Sequence, residues 1–246
     1  MKARRLAFAA LASSACFGTL TVAVAETRAV VELFTSQGCS SCPAADKLLG
    51  ELVQDPTVVA MSVPIDYWDY LGWKDTLASP AHTARQRAYA KIRGDRQVYT
   101  PQVVVNGSLH VLGSDKAAIE RAIAASRRNA APMSVPVTLA AAGDILSVTV
   151  PEGKPERTGA EVWLCTITKS VPVTIGRGEN RGHTITYHNV ARRWQKLGDW
   201  TGKAVTWTVP LAEIRNAQGD AAAVLVQSGS AETPSTTLGA AFASLP

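Results

Sequence analysis

Residues 30–65 constrain the fold more than any other stretch of the chain. Val30 to Phe34 is a short apolar run interrupted only by Glu32, and Cys39-Ser-Ser-Cys42 follows close behind. Ala45, Leu48, Leu49, Leu52 and Val53 then recur at helical spacing, with Pro43 early in that helix, where a missing N–H costs little. Gln54-Asp-Pro56 ends the helix, and Val58 to Ile65 is a second apolar run. The pattern predicts strand–helix–strand, and the right-handed crossover rule makes the two strands parallel. Near-continuous apolar strands are expected to be covered on both faces. Their C-terminal ends share one edge of the sheet, the edge that carries Cys39. Unpaired N–H groups and the positive end of the helix dipole favour a thiolate there. Two cysteines at this spacing suit a redox pair that closes a disulfide, or half of a zinc site.

The segment after the second strand, Asp66-Tyr-Trp-Asp-Tyr-Leu-Gly-Trp73, is therefore placed beside the cysteines. Tyr67, Trp68 and Trp73 are read either as one wall of a substrate groove or as aromatics that anchor a packed loop. Ser79-Pro80 predicts a helix start, with an N-cap and a proline at the first helical position, and that helix runs to about Ile92. Thr100-Pro101 opens a third strand, where a proline is at home only at an end or an edge. Val103 to Val105, a turn at Asn106-Gly107 and Leu109 to Leu112 predict a hairpin. A last helix carries Ile119 and Ile123 inward, so the predicted order is β-α-β-α-β-β-α.

That order, the C-x-x-C after the first strand and the Thr-Pro before the third resemble the thioredoxin fold. The resemblance implies a cis peptide bond at Pro101, lying against the disulfide, and a Thr100 whose backbone meets an incoming substrate strand. The wording resembles more narrowly a bacterial family of secreted thioredoxin-like proteins, domain of unknown function 1223. ELFTSQGCSSCP, the IDYWDYLGWKD stretch, YTPQVVVNG and GENRG followed by TYHNV carry that resemblance across almost the whole mature chain. Pro64 stands where histidine is expected in many relatives, which argues against proton transfer at that position.

Ala130-Ala-Pro132 reads as a linker, after which the pattern changes to alternating strands. Val135, Val137 and Leu139 alternate, Gly143-Asp144 turns, and Ile145 to Val150 returns. Further strands are expected at Glu161 to Lys169, Val171 to Ile175, His183 to Ala191, Lys203 to Val209 and Ala222 to Gln227. The fold class expected is an α/β thioredoxin-like domain over 26–129, followed by an all-β, sandwich-like domain over 133–246. Gly176-Arg-Gly-Glu-Asn-Arg-Gly182 is not a dinucleotide fingerprint, because its last spacing is one too long and it joins two strands. It is either a flexible hairpin tip or a loop that reaches over the cysteine edge and helps bind an acidic or peptide substrate. Cys165, mid-strand, reads as a buried inert thiol.

Residues 1–25 read as a signal peptide: Lys2, Arg4 and Arg5, then an apolar stretch from Leu6 to Leu20, then Ala23-Val24-Ala25 as the cleavage site. Without those three cations the formal charge falls from +5 to +2, too little to argue for nucleic acid or a membrane surface. The expected location is periplasmic or secreted, with no stable membrane anchor after cleavage, in a compartment where disulfides persist.

The chemistry expected is thiol–disulfide exchange with a protein or a small thiol or disulfide, without a cofactor. Cys39 is the nucleophile and Cys42 the resolving thiol. Ser40-Ser41 adds no charge, so a moderate redox poise is expected rather than a strong oxidant. Glu32 is either a proton-transfer group for the resolving cysteine or half of a structural ion pair. One alternative is a non-catalytic binding module in which the Cys39–Cys42 bond is structural. Another is a metal carrier, disfavoured because no further His or Cys stands at a helpful spacing.

Overall fold

β1 (Ala29–Thr35) lies at the centre of the molecule, buried along its whole length. A computed structural model describes residues 26–154 and 159–246, so the leader expected over 1–25 lies outside the described residues. After β1 come α1 (Pro43–Leu52), β2 (Val58–Pro64), α2 (Pro80–Arg93), β3 (Gln102–Val105), β4 (Leu109–Leu112) and α3 (Lys116–Ser126). β5 (Thr138–Ala142), β6 (Ile145–Val150), β7 (Ala160–Thr174), β8 (Thr184–Trp200), β9 (Val205–Pro210), α4 (Leu211–Asn216), β10 (Ala221–Ser228) and β11 (Thr237–Ser244) complete the chain. The molecule is mixed α/β, with a large, mostly sheet core and few helices.

Eight strands form one sheet in the order β11-β10-β7-β8-β2-β1-β3-β4, and β5-β6-β9 form a second. β1 and β2 pair in parallel, with Val31 opposite Ala60 and Leu33 opposite Ser62. β3 runs antiparallel to β1 and turns into β4 through Asn106 and Gly107, whose φ values of 47° and 71° are those an Asn-Gly hairpin turn needs. Asn106 also ties the ends of the sheet together. Its side-chain oxygen accepts from the Val30 N–H at 2.7 Å, and its backbone oxygen accepts from the N–H of Thr237, the first residue of β11, at 3.0 Å.

The large sheet therefore curls, and its strands sort their side chains by the two-residue period. Val30, Phe34, Met61, Val104, Ile167, Ala223 and Leu225 share the inner core, which Tyr89 of α2 also enters. The opposite face of β1, β2 and β3 offers Val31, Leu33, Ala60 and Val103 to Leu48 and Leu49 of α1 and Ile119 and Ile123 of α3. The opposite face of β7 and β10 offers Val162, Leu164, Val224 and Val226 to Leu146 and Val148 of the small sheet.

Two sequence expectations change in detail. The two short strands expected at 161–169 and 171–175 are one, β7, and the strand expected at 183–191 runs on as β8 to Trp200, past a register shift opposite Thr166 and Ile167. A bulge absorbs an irregular residue without ending the strand, which hides the continuity from a pattern reading. β11 escaped the sequence reading, because TLGAAFAS is mostly small residues with little β-propensity. α2, in contrast, starts where expected: the Ser79 hydroxyl accepts from the Ala81 N–H, and Gly94 at φ 77° closes the helix.

The inner core holds an ion pair. Glu32 on β1 accepts from Arg85 Nε at 2.6 Å and from the Tyr89 hydroxyl at 2.5 Å, and the same guanidinium donates to Gln227 of β10 at 3.1 Å. The Trp194 ring of β8 lies 4.4 Å from the guanidinium carbon. Burial opposes the Arg85 charge, but the surrounding groups, led by the Glu32 carboxylate, together raise the arginine pKa. Removing one partner of such a pair strands the other without water. Arg85→Ala should cost about 3–5 kcal/mol, read as a lowered midpoint in urea denaturation; a loss near that of an exposed pair would mean that the network is not holding the halves together.

Candidate functional site

Cys42 is the N-cap of α1, and Pro43 occupies its first turn. The helix begins one residue after Cys42, so both cysteines lie in the turn ahead of it. Cys39 and Cys42 are joined in a disulfide, with Cα atoms 5.4 Å apart. The Cys42 N–H donates to the Cys39 carbonyl at 3.2 Å, and the Ala45 and Asp46 N–H groups donate to the Cys42 carbonyl. The helix N-terminus thus faces the pair and favours negative charge on a released sulfur. Ser40 and Ser41 are exposed, and the Ser41 hydroxyl lies 3.4 Å from Cys39 Sγ. Both cysteines are nonetheless covered, Cys39 at 3% exposure and Cys42 at 0%.

Three segments supply that surround. Thr100 and Pro101 open β3, and the bond between them is cis. Pro101 reaches the underside of α1 at Gly113, where an added Cβ would meet Leu33, Pro101 and Ala45 together. Trp68, from the loop after β2, donates its indole N–H to the Thr100 hydroxyl at 2.7 Å and lies against Gly38, whose absent Cβ leaves that room. Tyr70 stacks on Trp68 and is 77% exposed.

The third segment is the Gly176–Gly182 tip of the β7–β8 hairpin. Asn180 is buried and donates to the backbone oxygens of Gln37 and Cys39, both at 2.9 Å. The tip is seated on Trp73: an added Cβ at Gly176 or Gly178 would touch that ring or its Cβ. Trp73 in turn donates to the Gln37 side chain at 2.8 Å. Of the two sequence readings of this loop, the one that reaches the cysteine edge matches its position. The hairpin's length makes this possible, since strands of 15 and 17 residues extend about 50 Å at about 3.3 Å per residue.

Behind the disulfide lies a polar cluster that sequence reasoning missed. Asp46 stands one helical turn after Cys42 and is buried, and neither carboxylate oxygen has a hydrogen-bond partner among the described residues. Burial pushes its pKa up to about 8; the Thr35 hydroxyl, near but outside bonding geometry, pulls it down, and the Asp75 charge pushes it further up. The Tyr187 hydroxyl of β8 is also unpartnered, and burial raises its pKa, with the charges of Asp46 and Asp75 adding to the shift. Asp75 accepts from the N–H groups of Gln37, Leu77 and Ala78; burial still pushes its pKa up to about 6. An acid inside a helix pattern looks like a solvated position, and only packing β8 against α1 encloses it.

The structure brings Cys39, Cys42, Trp68, Trp73, Thr100 and Pro101 together. Tyr67 packs toward the inner core with its hydroxyl unpartnered. Glu32 lies on the opposite face of the sheet from α1, and its carboxylate is committed to Arg85 and Tyr89. Cys165 is free and buried, and burial pushes its thiol pKa up, as an inert thiol requires. No group of three or more His, Cys, Asp or Glu side chains placed to hold a metal occurs among the described residues.

The fold and site define a mixed α/β protein whose curled sheet carries a Cys-x-x-Cys disulfide at a helix N-terminus. The chain belongs to the family described as protein of unknown function, DUF1223, whose sequence profile matches residues 30–227. An X-ray structure of a protein from Agrobacterium tumefaciens is similar to it at 35% identity and a TM-score of 0.79, over 89% of this chain and 94% of that one. HBP35 of Porphyromonas gingivalis shares the fold at 15% identity and a TM-score of 0.53, over 89% of this chain and 76% of that one. No curated protein matches the sequence.

Asn180→Ala removes both bonds to the cysteine loop and leaves the Gln37 oxygen unpaired and the Cys39 oxygen with the Cys42 N–H alone, so it should cost about 1–3 kcal/mol and speed reduction of the disulfide by dithiothreitol, followed by thiol titration. Asp46 binds a proton in the folded state well above the pH at which it loses one unfolded. Its contribution is therefore full below about pH 4 and lost as pH rises to about 8. Asp46→Asn should gain thermal stability over the parent as pH rises from 4 to 8, with no further gain above; a constant difference in Tm across that range would remove the charge penalty.

Proposed function

We propose that the protein is a thioredoxin-like thiol–disulfide oxidoreductase working through Cys39 and Cys42, exported to the periplasm or secreted after cleavage behind Ala25. On this reading residues 26–129 form the thioredoxin-like unit, and residues 133–246 form a β-rich unit that lends it the Asn180 tip. The observation that carries the proposal is the disulfide at the N-terminus of α1 with the buried carboxyl of Asp46 one turn behind it.

In the reducing direction the Cys39 thiolate attacks a substrate disulfide. The substrate S–S bond breaks, a mixed disulfide forms, and one substrate thiolate leaves and takes up a proton. Cys42 then loses its proton, with Asp46 the nearest buried acceptor along α1, and attacks the Cys39 sulfur. The mixed disulfide breaks, the second substrate thiol departs, and the Cys39–Cys42 bond is restored. Two electrons pass from the protein dithiol to the substrate, and oxidation of a substrate dithiol runs the same steps backward. Trp68, Thr100 and Pro101 would form the substrate-facing wall.

The burial of both cysteines favours a second reading, a binding module stapled by a structural disulfide. Equilibration with glutathione separates the two. A reduction potential between about −270 and −180 mV, with insulin reduction lost in Cys39→Ser, is expected of the oxidoreductase. A potential below about −300 mV marks a structural bond and decides for the second reading.

A further inference from the structure

The hairpin tip is pinned, and its charges are unspent. Asn180 fixes it to Gln37 and Cys39, and Trp73 supports Gly176 and Gly178. Arg177 and Arg181 are exposed on this fixed loop, and Lys74 is exposed beside Trp73. None of the three makes an ion pair among the described residues. Arg181 directly follows Asn180, so its Cα lies about 3.8 Å from that of the residue touching the Cys39 carbonyl.

The neighbouring acids are buried or half-buried and hydrogen-bonded within the protein. Asp75 accepts three backbone N–H groups, Asp69 accepts from the Asp75 N–H at 3.0 Å, and Asp66 accepts from the Thr83 hydroxyl at 2.5 Å. Glu179 is the one exposed acid on the tip. Among fully exposed groups the rim of the disulfide therefore presents three cations against one acid, with Asp66 and Asp69 half-buried behind them, next to the exposed Tyr70 stacked on Trp68.

We infer that this rim selects its partner by charge: the site takes an extended peptide whose cysteine is flanked by carboxylates. The guanidiniums of Arg177 and Arg181 pair with those carboxylates, and Tyr70 receives an apolar side chain of the same segment. An extended segment suits a disulfide at the bottom of a cover, where a folded surface would stop short. This rests on the oxidoreductase reading for turnover but not for binding.

The test uses three matched cystine peptides whose cysteines are flanked by Glu, Gln or Lys. Reduced protein should reduce the Glu peptide about tenfold faster than the Lys peptide at low salt, and the advantage should shrink as the Debye length falls below about 10 Å. Arg177→Gln/Arg181→Gln should erase the difference while leaving the Gln peptide within twofold. Binding of the same peptides to the oxidised protein, read by tryptophan fluorescence, should follow the same order. If no peptide is reduced but binding keeps that order, the inference stands without the catalytic reading. If the double variant leaves the order unchanged, or the parent shows none in rate or binding, the inference is overturned.

Discussion

Glu32 and Arg85 form a charge pair inside the core that the curled sheet encloses. A buried charge is tolerated only when paired and hydrogen-bonded, so this pair allows few arrangements of the elements that carry it. Glu32 comes from β1, Arg85 and Tyr89 from α2, Gln227 from β10 and Trp194 from β8. One guanidinium thus joins the strand that leads to the cysteines, the helix that follows the aromatic loop, and strands from the far end of the chain. Curling of the sheet around it is the geometric consequence.

The site inherits its shape from that closure. With β8 held beside β2, through the Ser62–Val190 pairing, Tyr187 faces the polar cluster around Asp46, and the β7–β8 hairpin projects past the sheet to the disulfide. Gln37 collects the result: its N–H goes to Asp75, its carbonyl to Asn180 and its side chain to Trp73. Two distant segments, the loop after β2 and the β7–β8 tip, meet on the residue two before Cys39, so the covering of the disulfide is a property of the whole fold.

The strand–Cys-x-x-Cys–helix–strand unit, the capped α2 and the Asn-Gly hairpin were legible in the sequence, because each is written in local chemistry: a two- or 3.6-residue period, a capping hydroxyl, a residue pair that accepts positive φ. The long β7 was read as two strands and β8 as ending at Ala191, where a register shift interrupts the alternation, and β11 was not read at all, since small residues carry little strand signal. Among site residues, Cys39, Cys42, Trp68, Trp73, Thr100 and Pro101 stood out by type and spacing. Asp46 did not, because nothing in a helical pattern tells a buried acid from a solvated one.

The sequence by itself determined which residues could do sulfur chemistry and on which edge of a parallel strand pair they would lie, since local periodicity and chain chirality suffice for that. Whether the disulfide is open or covered, which acid stands behind it and which cations rim it were decided only by the tertiary structure. Asn180 lies 141 residues from Cys39. Glu32 and Asp46 are both buried acids, yet one is paired with a guanidinium from α2 and the other faces an unpartnered tyrosine from β8. That difference is set by which element packs on which face of β1, and no local pattern encodes it.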